Sequence, residues 1–244
     1  MPDLSVQLYT VRDSLAADFD AGLARLAEMG FRQVEPFQLQ QFGEQLREGL
    51  PKHQLTAPTA HAGVVGQDQE ALFSLAAELG VGTVIEPRVD PARWQSADGI
   101  ASVAEDLNEA AALAAEHGVR VGYHNHSQEL ESRIDGRHGL EVLADKLAPE
   151  VVLEVDTYWA YAGGADVPAL LRRLGDRVVA LHVKDGDGSL DPKRQVAVGS
   201  GTVPVWDILE AAPDALRVVE LDGTEGDVWE AVRAGREFLL AGRS

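Results

Sequence analysis

Two kinds of hydrophobic pattern alternate along the chain. Short runs rich in β-branched residues predict strands near 4–9, 32–36, 56–61, 82–86, 119–125, 151–156, 178–184 and 216–221. Between these runs, apolar residues recur every three or four positions. That spacing predicts helices near 14–29, 40–49, 67–79, 97–117, 137–147, 167–174, 204–211 and 225–241. Helices that alternate with buried strands are typical of parallel βαβ units.

Several predicted helices end at a glycine, and a strand follows directly. Gly30, Gly80, Gly118 and Gly175 stand where a helix end needs a residue in the left-handed region. Eight such units in 244 residues predict an α/β fold, a single-domain (β/α)8 barrel of the TIM type spanning 1–244. An open, doubly wound sheet is the alternative. It usually has a glycine-rich turn after its first strand, and VQLYTVRD has none.

Each predicted strand ends in a polar residue that would point into or just above the mouth of the barrel. These residues are Gln7, Glu35, His61, Glu86, His124, Asp156, His182 and Glu220. Barrel interiors are normally filled by branched apolar side chains, and active sites lie at the carboxyl ends of the strands. A set of strand ends this rich in His and carboxylate predicts a site that binds a cation.

Composition excludes several classes of protein. The chain has no cysteine, so disulfides, zinc–thiolate sites and cysteine nucleophiles are ruled out. A formal net charge of −19 disfavours binding to nucleic acid. The opening MPDLSVQLYTVRD is unlike a signal peptide, and no apolar run approaches the roughly 20 residues of a membrane helix. We therefore expect a cytoplasmic protein with no nucleic-acid or membrane partner.

Three motifs at strand ends supply the candidate chemistry. In LEVDTYW, Asp156 is either a metal carboxylate or a helix cap, and Trp159 is either a wall against a sugar ring or part of the core. In ALHVKD, His182 and Lys184 alternate, so both side chains lie on one face of the strand. In RVVELDG, Glu220 and Asp222 alternate in the same way, and buried carboxylates need a cation or hydrogen-bond donors.

The most polar short stretch of the chain is GYHNHSQEL. It brings His124, Asn125, His126 and Glu129 to one strand end and its loop. The alternative is a hydrogen-bonded loop with a helix cap from Ser127. Glu129, Asp156, His182 and Glu220 together form the predicted metal set. Three carboxylates and one imidazole suit one divalent ion (Mn²⁺, Zn²⁺, Mg²⁺ or Co²⁺) with positions left open for substrate.

At these residues the chain resembles the sugar phosphate isomerase/epimerase branch of the xylose isomerase-like barrel superfamily. The resemblance rests on VQLYTVRD, QVEPF, GYHNHSQEL, DTYWAYAGG, ALHVKD, GSGTVPVWDIL and VVELD, in this order over nearly the whole chain. It implies a (β/α)8 fold and one divalent metal held by Glu, Asp, His and Glu. Asp156, His182 and Glu220 match three of these ligands. Where relatives that epimerise ketoses have the fourth, a Glu, this chain has His124, so the fourth ligand is either Glu129 or His124.

The predicted function is a metal-dependent isomerase or epimerase that acts on a sugar or keto-sugar through an enediolate. His124 or His126 would be one base, Glu220 a second, and Lys184 would hold the oxyanion. The predicted substrate-binding residues are His61, Trp159, Glu35 and Arg12. Substrate phosphate is not indicated, although VGSGTV with Lys193 and Arg194 could bind one.

Other functions remain open. One is a metal-dependent lyase or dehydratase acting on an inosose or a 3-keto-glycoside, and another is a non-catalytic sugar-binding barrel. An abasic-site nuclease, which belongs to the same superfamily, would need three metals and a basic groove, and the charge of −19 argues against it. The apolar helices AALAAEHG and FLLAG could form a homodimer surface.

Overall fold

The computed structural model describes residues 4–243, so positions 1–3 and 244 of the predicted domain lie outside the described residues. Seven strands of the described residues form a parallel sheet. They are β1 (Leu4–Val6), β2 (Thr59–His61), β3 (Thr83–Glu86), β4 (Arg120–His124), β5 (Val152–Asp156), β6 (Val178–Val183) and β7 (Leu216–Val219). Their order in the sheet is β1-β7-β6-β5-β4-β3-β2.

The segment 32–36, predicted as a strand, closes the gap between β1 and β2 without forming a regular strand. It makes single parallel bridges at its two ends, Gln7 with Glu35 and Gln33 with Thr56. The Glu35 amide donates to Val6 O at 2.8 Å, and on the other side the Val34 amide donates to Thr56 O at 2.9 Å. Pro36 lacks an amide hydrogen, which shortens the ladder here. The sheet therefore closes into the predicted eight-fold barrel, and we call this segment the seam.

Eight helices between residues 4 and 243 surround the sheet, close to the predicted positions. They are Phe19–Glu28, Gly43–Lys52, Gln69–Glu78, Ala97–Glu116, Gly139–Lys146, Val167–Leu174, Val205–Ala211 and Val228–Ala241. Four begin at aspartates that accept a backbone N–H, namely Asp18, Asp68, Asp166 and Asp227. Their apolar faces pack on the strands and form the main core. The predicted helix 14–29 is divided, because Asp18 is extended and separates Arg12–Ala17 from Phe19–Glu28.

Loops after the strands form the upper rim of the barrel. Short helices occur there at Gln128–Glu131 and Thr157–Ala162. The segment 185–203, between the predicted strand 178–184 and the predicted helix 204–211, contains two short antiparallel strands, Asp185–Gly186 and Gln195–Val196. These elements lie at the carboxyl ends of the strands, where the predicted site is found. Within residues 4–243, no helix is both long and apolar enough to cross a membrane.

Candidate metal centre

Four side chains at the mouth of the barrel form a compact donor set. His124, Asp156, His182 and Glu220 each offer one ligand atom, and these atoms all lie within 4.8 Å of one another. Asp156 and His182 are register partners on β5 and β6, and His124 ends the neighbouring β4. All four side chains are buried, and Asp156 and His182 are inaccessible to solvent. We call this set the upper cluster.

A second set of contacts lies directly beneath the upper cluster, around Glu154 of β5. Its Oε2 is 2.5 Å from His61 Nε2 and 3.1 Å from His124 Nδ1. The same oxygen is 3.0 Å from His182 Nε2. His61, His124, Glu154 and His182 also lie close enough together to hold a metal ion. Two overlapping donor sets therefore share His124 and His182.

Glu35, from the seam, completes this lower layer. Its Oε1 accepts a hydrogen bond from Gln7 Nε2 at 2.7 Å and lies 2.6 Å from His182 Nε2. Its Oε2 accepts from the hydroxyl of Thr59. Glu35 and Glu154 have no solvent exposure. We call Glu35, Glu154 and His61 the lower layer.

The site carries an excess of buried carboxylate. Glu35, Glu154, Asp156 and Glu220 are at most 5% exposed, and Asp222 lies beside them. Lys184 is the only Lys or Arg of residues 4–243 that pairs with any of these five carboxylates. Burying several carboxylates without enough positive charge is costly, and a divalent cation would supply it. The donor set of imidazole and carboxylate therefore fits the predicted metal ion.

Lys184 sits inside a cage of three carboxylates. Its Nζ is 2.8 Å from Asp156 Oδ2, 2.6 Å from Glu220 Oε2 and 2.7 Å from Asp222 Oδ2. Burial disfavours its charge, but these three carboxylates outweigh it and raise the pKa of Lys184 well above its usual value. The amine stays protonated and holds the carboxylates in place.

The protonation of the upper cluster reflects burial and neighbouring charge. Burial raises the pKa of Asp156 to about 6, against the opposing effect of Lys184. Burial and the nearby His182 lower the pKa of His124 well below its usual value, so this ring is neutral, as a metal ligand must be. For His182, burial is outweighed by Glu154, Glu220 and Glu35, which raise its pKa well above the usual value.

A cavity of about 440 Å³ opens directly above the upper cluster. His61, His124, His126, Glu220 and Asp222 form its polar floor. Its rim contains Tyr9, Phe37, Gln38, Ala62, Gly63, Pro87 and Arg88. Burial and Lys184 lower the pKa of His126 to about 4, so its ring is neutral near pH 7. A polyhydroxylated molecule of a few hundred Å³ fits such a pocket.

The structure does not bring Glu129 to the other predicted ligands. One carboxylate oxygen accepts the Tyr123 hydroxyl at 2.7 Å, and the other accepts the His126 amide at 2.8 Å. The Glu129 carboxylate therefore fixes the strand-end loop that carries His126. His124 takes the fourth place beside Asp156, His182 and Glu220. Metal binding itself remains a prediction.

The structure places the four predicted substrate-binding residues in three different positions. His61 lines the cavity. Trp159 Nε1 donates to Asp222 Oδ2 at 3.1 Å, and Arg12 donates to the backbone oxygen of Asp222 at 3.0 Å, so both support a residue of the cavity floor. Glu35 lies in the lower layer. Lys184, predicted to hold an oxyanion, is 1% exposed and already has three carboxylate partners.

Glu154 was not among the predicted site residues. It precedes Asp156 by two positions on the same strand, so both side chains point to the barrel interior. A Glu in the middle of the apolar run VVLEVD is the signal that could have identified it. The aromatic rim residues Tyr9 and Phe37, whose rings meet edge to face with centroids 5.4 Å apart, had no comparable signal.

The chain belongs to the xylose isomerase-like TIM barrel family, whose model matches residues 23–234. It is 24% identical to the inosose dehydratase of Geobacillus kaustophilus over 83% of this chain and 76% of that protein. The fold is similar to that of a sugar phosphate isomerase/epimerase from Parabacteroides distasonis, with a TM-score of 0.83, 23% identity, and coverage of 99% of this chain and 94% of that chain.

Two further solved structures share the fold. The probable 3-DHS dehydratase AsbF from Bacillus anthracis has a TM-score of 0.77 at 17% identity, covering 99% of this chain and 100% of that one. The IolI protein with a bound zinc atom has a TM-score of 0.72 at 15% identity, covering 99% of this chain and 97% of that one. At these identities the structural likeness describes the barrel alone.

Proposed function

We propose that this chain is a divalent-metal-dependent isomerase or epimerase acting on a sugar or keto-sugar. The observation that supports it best is the upper cluster, which places four metal-type donor atoms within 4.8 Å of one another beneath a cavity of about 440 Å³. A divalent ion held by these residues would polarise a substrate carbonyl and stabilise negative charge that develops beside it.

The residues of the cavity floor have distinct roles in this proposal. His126 borders the cavity, and burial and Lys184 lower its pKa to about 4, so its ring is neutral near pH 7. The lone pair of this ring is the candidate acceptor of the proton from a C–H next to the carbonyl. Protonation of the resulting enediolate on the other face of the same carbon gives epimerisation, and protonation of the neighbouring carbon gives isomerisation. Glu220 borders the same cavity and is the second candidate base.

His61 and Asp222 would bind substrate hydroxyls. Both line the cavity, and Asp222 Oδ2 is held by Lys184, Trp159 and Gln195 within 3.1 Å. Such fixed polar groups orient a ligand without reorganisation during the reaction. Lys184 acts by positioning Glu220 and Asp222, because its ammonium is enclosed by carboxylates.

A dehydratase is the second candidate, and the named relatives favour it. Inosose dehydratase and the probable 3-DHS dehydratase are both similar to this chain. Removal of the same C–H proton, followed by loss of a β-hydroxyl as water, would give an unsaturated carbonyl product. Both reactions begin with this deprotonation. They differ in the next step, which is reprotonation of carbon in an isomerase or epimerase and loss of the β-hydroxyl in a dehydratase.

The test measures metal content and proton exchange together. The purified protein is stripped with a chelator, reloaded with Mn²⁺ or Zn²⁺, and incubated in D₂O with ketoses, 3-keto-glucosides and inososes. An isomerase or epimerase incorporates one deuterium into an isomeric product, whereas a dehydratase gives a product lighter by one water. Asp156→Ala should abolish the activity, and Asp187→Ala on an exposed loop serves as the matched control.

Two results would reject the proposal. If the wild-type protein binds neither Mn²⁺ nor Zn²⁺ at excess metal, the upper cluster is not a metal centre. If metal binds but no compound exchanges, while a sugar still binds, a sugar-binding barrel becomes the better description.

A further inference from the structure

The two histidines of the upper cluster each have one ring nitrogen turned toward the lower layer. His124 Nδ1 is 3.1 Å from Glu154 Oε2, and its Nε2 is 3.6 Å from Asp156 Oδ2. His182 shows the reverse arrangement, because its Nε2 is 2.6 Å from Glu35 Oε1 while its Nδ1 contacts Glu220 Oε2. The lower layer therefore meets opposite nitrogens of the two rings.

A neutral imidazole has one N–H and one lone pair, and the hydrogen bond made by one nitrogen decides which atom is free to bind a metal. Glu154 and Glu35 accept hydrogen bonds and, when ionised, cannot donate them. We propose that these two carboxylates fix opposite tautomers, so that His124 binds the divalent cation through Nε2 and His182 binds it through Nδ1. This inference rests on the proposed metal-dependent function.

The surroundings of Glu35 and Glu154 support this assignment. Glu35 is anchored by Gln7 and Thr59, and Glu154 by His61, so both acceptors have fixed positions. Both are fully buried beneath the upper cluster. Partner residues of this kind orient metal-binding histidines in other proteins.

The overlapping donor set around Glu154 is the competing location for the ion. It would use the opposite nitrogens, His124 Nδ1 and His182 Nε2, which lie 3.1 and 3.0 Å from Glu154 Oε2. Both sets border the cavity, the upper cluster through His124 and Glu220 and the set around Glu154 through His124 and His61. The upper cluster offers two carboxylates, Asp156 and Glu220, whereas the set around Glu154 offers one. Two negative ligands balance the charge of a buried divalent cation better than one does, which favours the upper cluster.

The direct test is the tautomer of each ring in the zinc-loaded protein. Zn²⁺ is diamagnetic, and long-range ¹H–¹⁵N spectra of ¹⁵N-histidine-labelled protein distinguish protonated from metal-bound ring nitrogens. The two residues are assigned from the spectra of His124→Gln and His182→Gln. The expected result is zinc on Nε2 of His124 and on Nδ1 of His182, with the other nitrogen of each ring protonated.

Zinc on Nδ1 of His124 or on Nε2 of His182 would overturn the inference and place the ion in the donor set around Glu154. In that case the proposed metal dependence would still stand. If the protein takes up no zinc, both the inference and the proposed function fail. Measuring zinc content on the same sample keeps these outcomes apart.

A substitution tests the role of Glu154 separately. Glu154→Gln removes the negative charge that faces His61 and His124 and replaces one of the two acceptor oxygens by an NH₂ donor. We expect zinc affinity, measured against a competing chelator dye, to fall by about 10- to 100-fold, and the His124 ring signals to shift. Glu141→Gln is the matched control, because Glu141 is also buried but pairs with Arg173 on the outer helices. Equal zinc affinity and unchanged His124 signals in Glu154→Gln would overturn the assignment of Glu154.

Discussion

At the scale of single residues, His124 and Glu129 are close in sequence but have different surroundings. His124 faces Asp156 and Glu154, with 2% of its surface exposed, whereas both oxygens of Glu129 are occupied by Tyr123 and the His126 amide. This difference favours His124 over Glu129 as the fourth ligand of the proposed metal ion. The contacts of Glu129 hold the loop instead.

The first prediction compares variants of these two residues. His124→Ala should weaken Zn²⁺ binding by at least about 100-fold, because it removes one of four donors. Glu129→Gln should leave zinc affinity within about threefold, since its contacts are to the loop, although it should lower stability by roughly 1–3 kcal/mol. Isothermal titration and urea denaturation measure the two effects. Loss of zinc binding in Glu129→Gln, with His124→Ala unaffected, would reverse the assignment.

The second prediction concerns pH. Metal ligands must be deprotonated, so protons compete with the ion for the upper cluster. Burial raises the pKa of Asp156 to about 6, and the carboxylates around His182 raise its pKa well above the usual value. Affinity for Zn²⁺ should therefore fall as the pH is lowered, and below pH 6 it should fall at least about tenfold per unit. Dissociation constants measured at pH 5.0, 6.0 and 7.5 check this slope, and a flat profile would contradict it.

At the scale of elements, Asp185 organises the loop 185–203. Its carboxylate accepts four backbone N–H groups, from Gly186, Gly199, Gly201 and Val203, at 2.8 to 3.1 Å. A Cβ on Gly201 would lie 2.2 Å from the same carboxylate, which explains the glycine at this position. Gln195, in the same loop, bonds Asp222 on the cavity floor. A well-ordered loop therefore helps to hold Asp222 in place on the floor of the cavity.

The third prediction tests this arrangement with Asp185→Ala. Removing the carboxylate leaves four amides without their acceptor, and Asp185 is 1% exposed, so we expect a loss of at least about 2 kcal/mol of unfolding free energy. Hydrogen exchange at Gly199, Gly201 and Val203 should become at least about tenfold faster. Asp187→Ala, an exposed aspartate two positions on, is the control and should change neither quantity appreciably. Equal effects in both variants would refute the role of Asp185.

The sequence predicted the elements well because apolar periodicity and glycine positions encode them locally. It failed where a particular contact in the folded protein, and not the local pattern, decides the outcome. The segment 32–36 reads as an ordinary strand, but it contacts its neighbours through isolated bridges. Asp156, His182 and Glu220 were identifiable from strand ends, because barrels place such residues at one mouth. The environment of Glu129 depends on the Tyr123 hydroxyl, which no spacing rule reveals.

At the scale of the whole molecule, ion binding and folding should be linked. A ligand that binds only the folded protein stabilises it by about 2.7 kcal/mol at 100 times its dissociation constant. For a chain of this size, each kcal/mol raises the melting temperature by roughly 2–4 °C. The fourth prediction is therefore a rise of about 5–10 °C on adding excess Zn²⁺ or Mn²⁺ to stripped protein. The rise should vanish in His182→Ala and persist in Asp187→Ala, as calorimetry can show.

The net charge of −19 also belongs to this scale. A negative surface raises the local concentration of cations and repels polyanions. The charge agrees with the expectation that the protein does not bind nucleic acid. The carbohydrate substrate, the homodimer and the cytoplasmic location also remain predictions. Adding salt should weaken metal uptake only modestly, because the donor atoms are buried and poorly screened.

The seam is the place where we expect the barrel wall to open locally. It is joined to β1 and to the segment before β2 by isolated bridges, and it carries Glu35, which holds His182 from below. Parting of the barrel at this place would withdraw Glu35 and release the imidazole it orients. An ion bound in the upper cluster would therefore oppose opening of the barrel at the seam. Tight binding of that ion would in turn require the barrel wall to be closed. Closure of the barrel wall and binding of the proposed metal ion would then depend on each other.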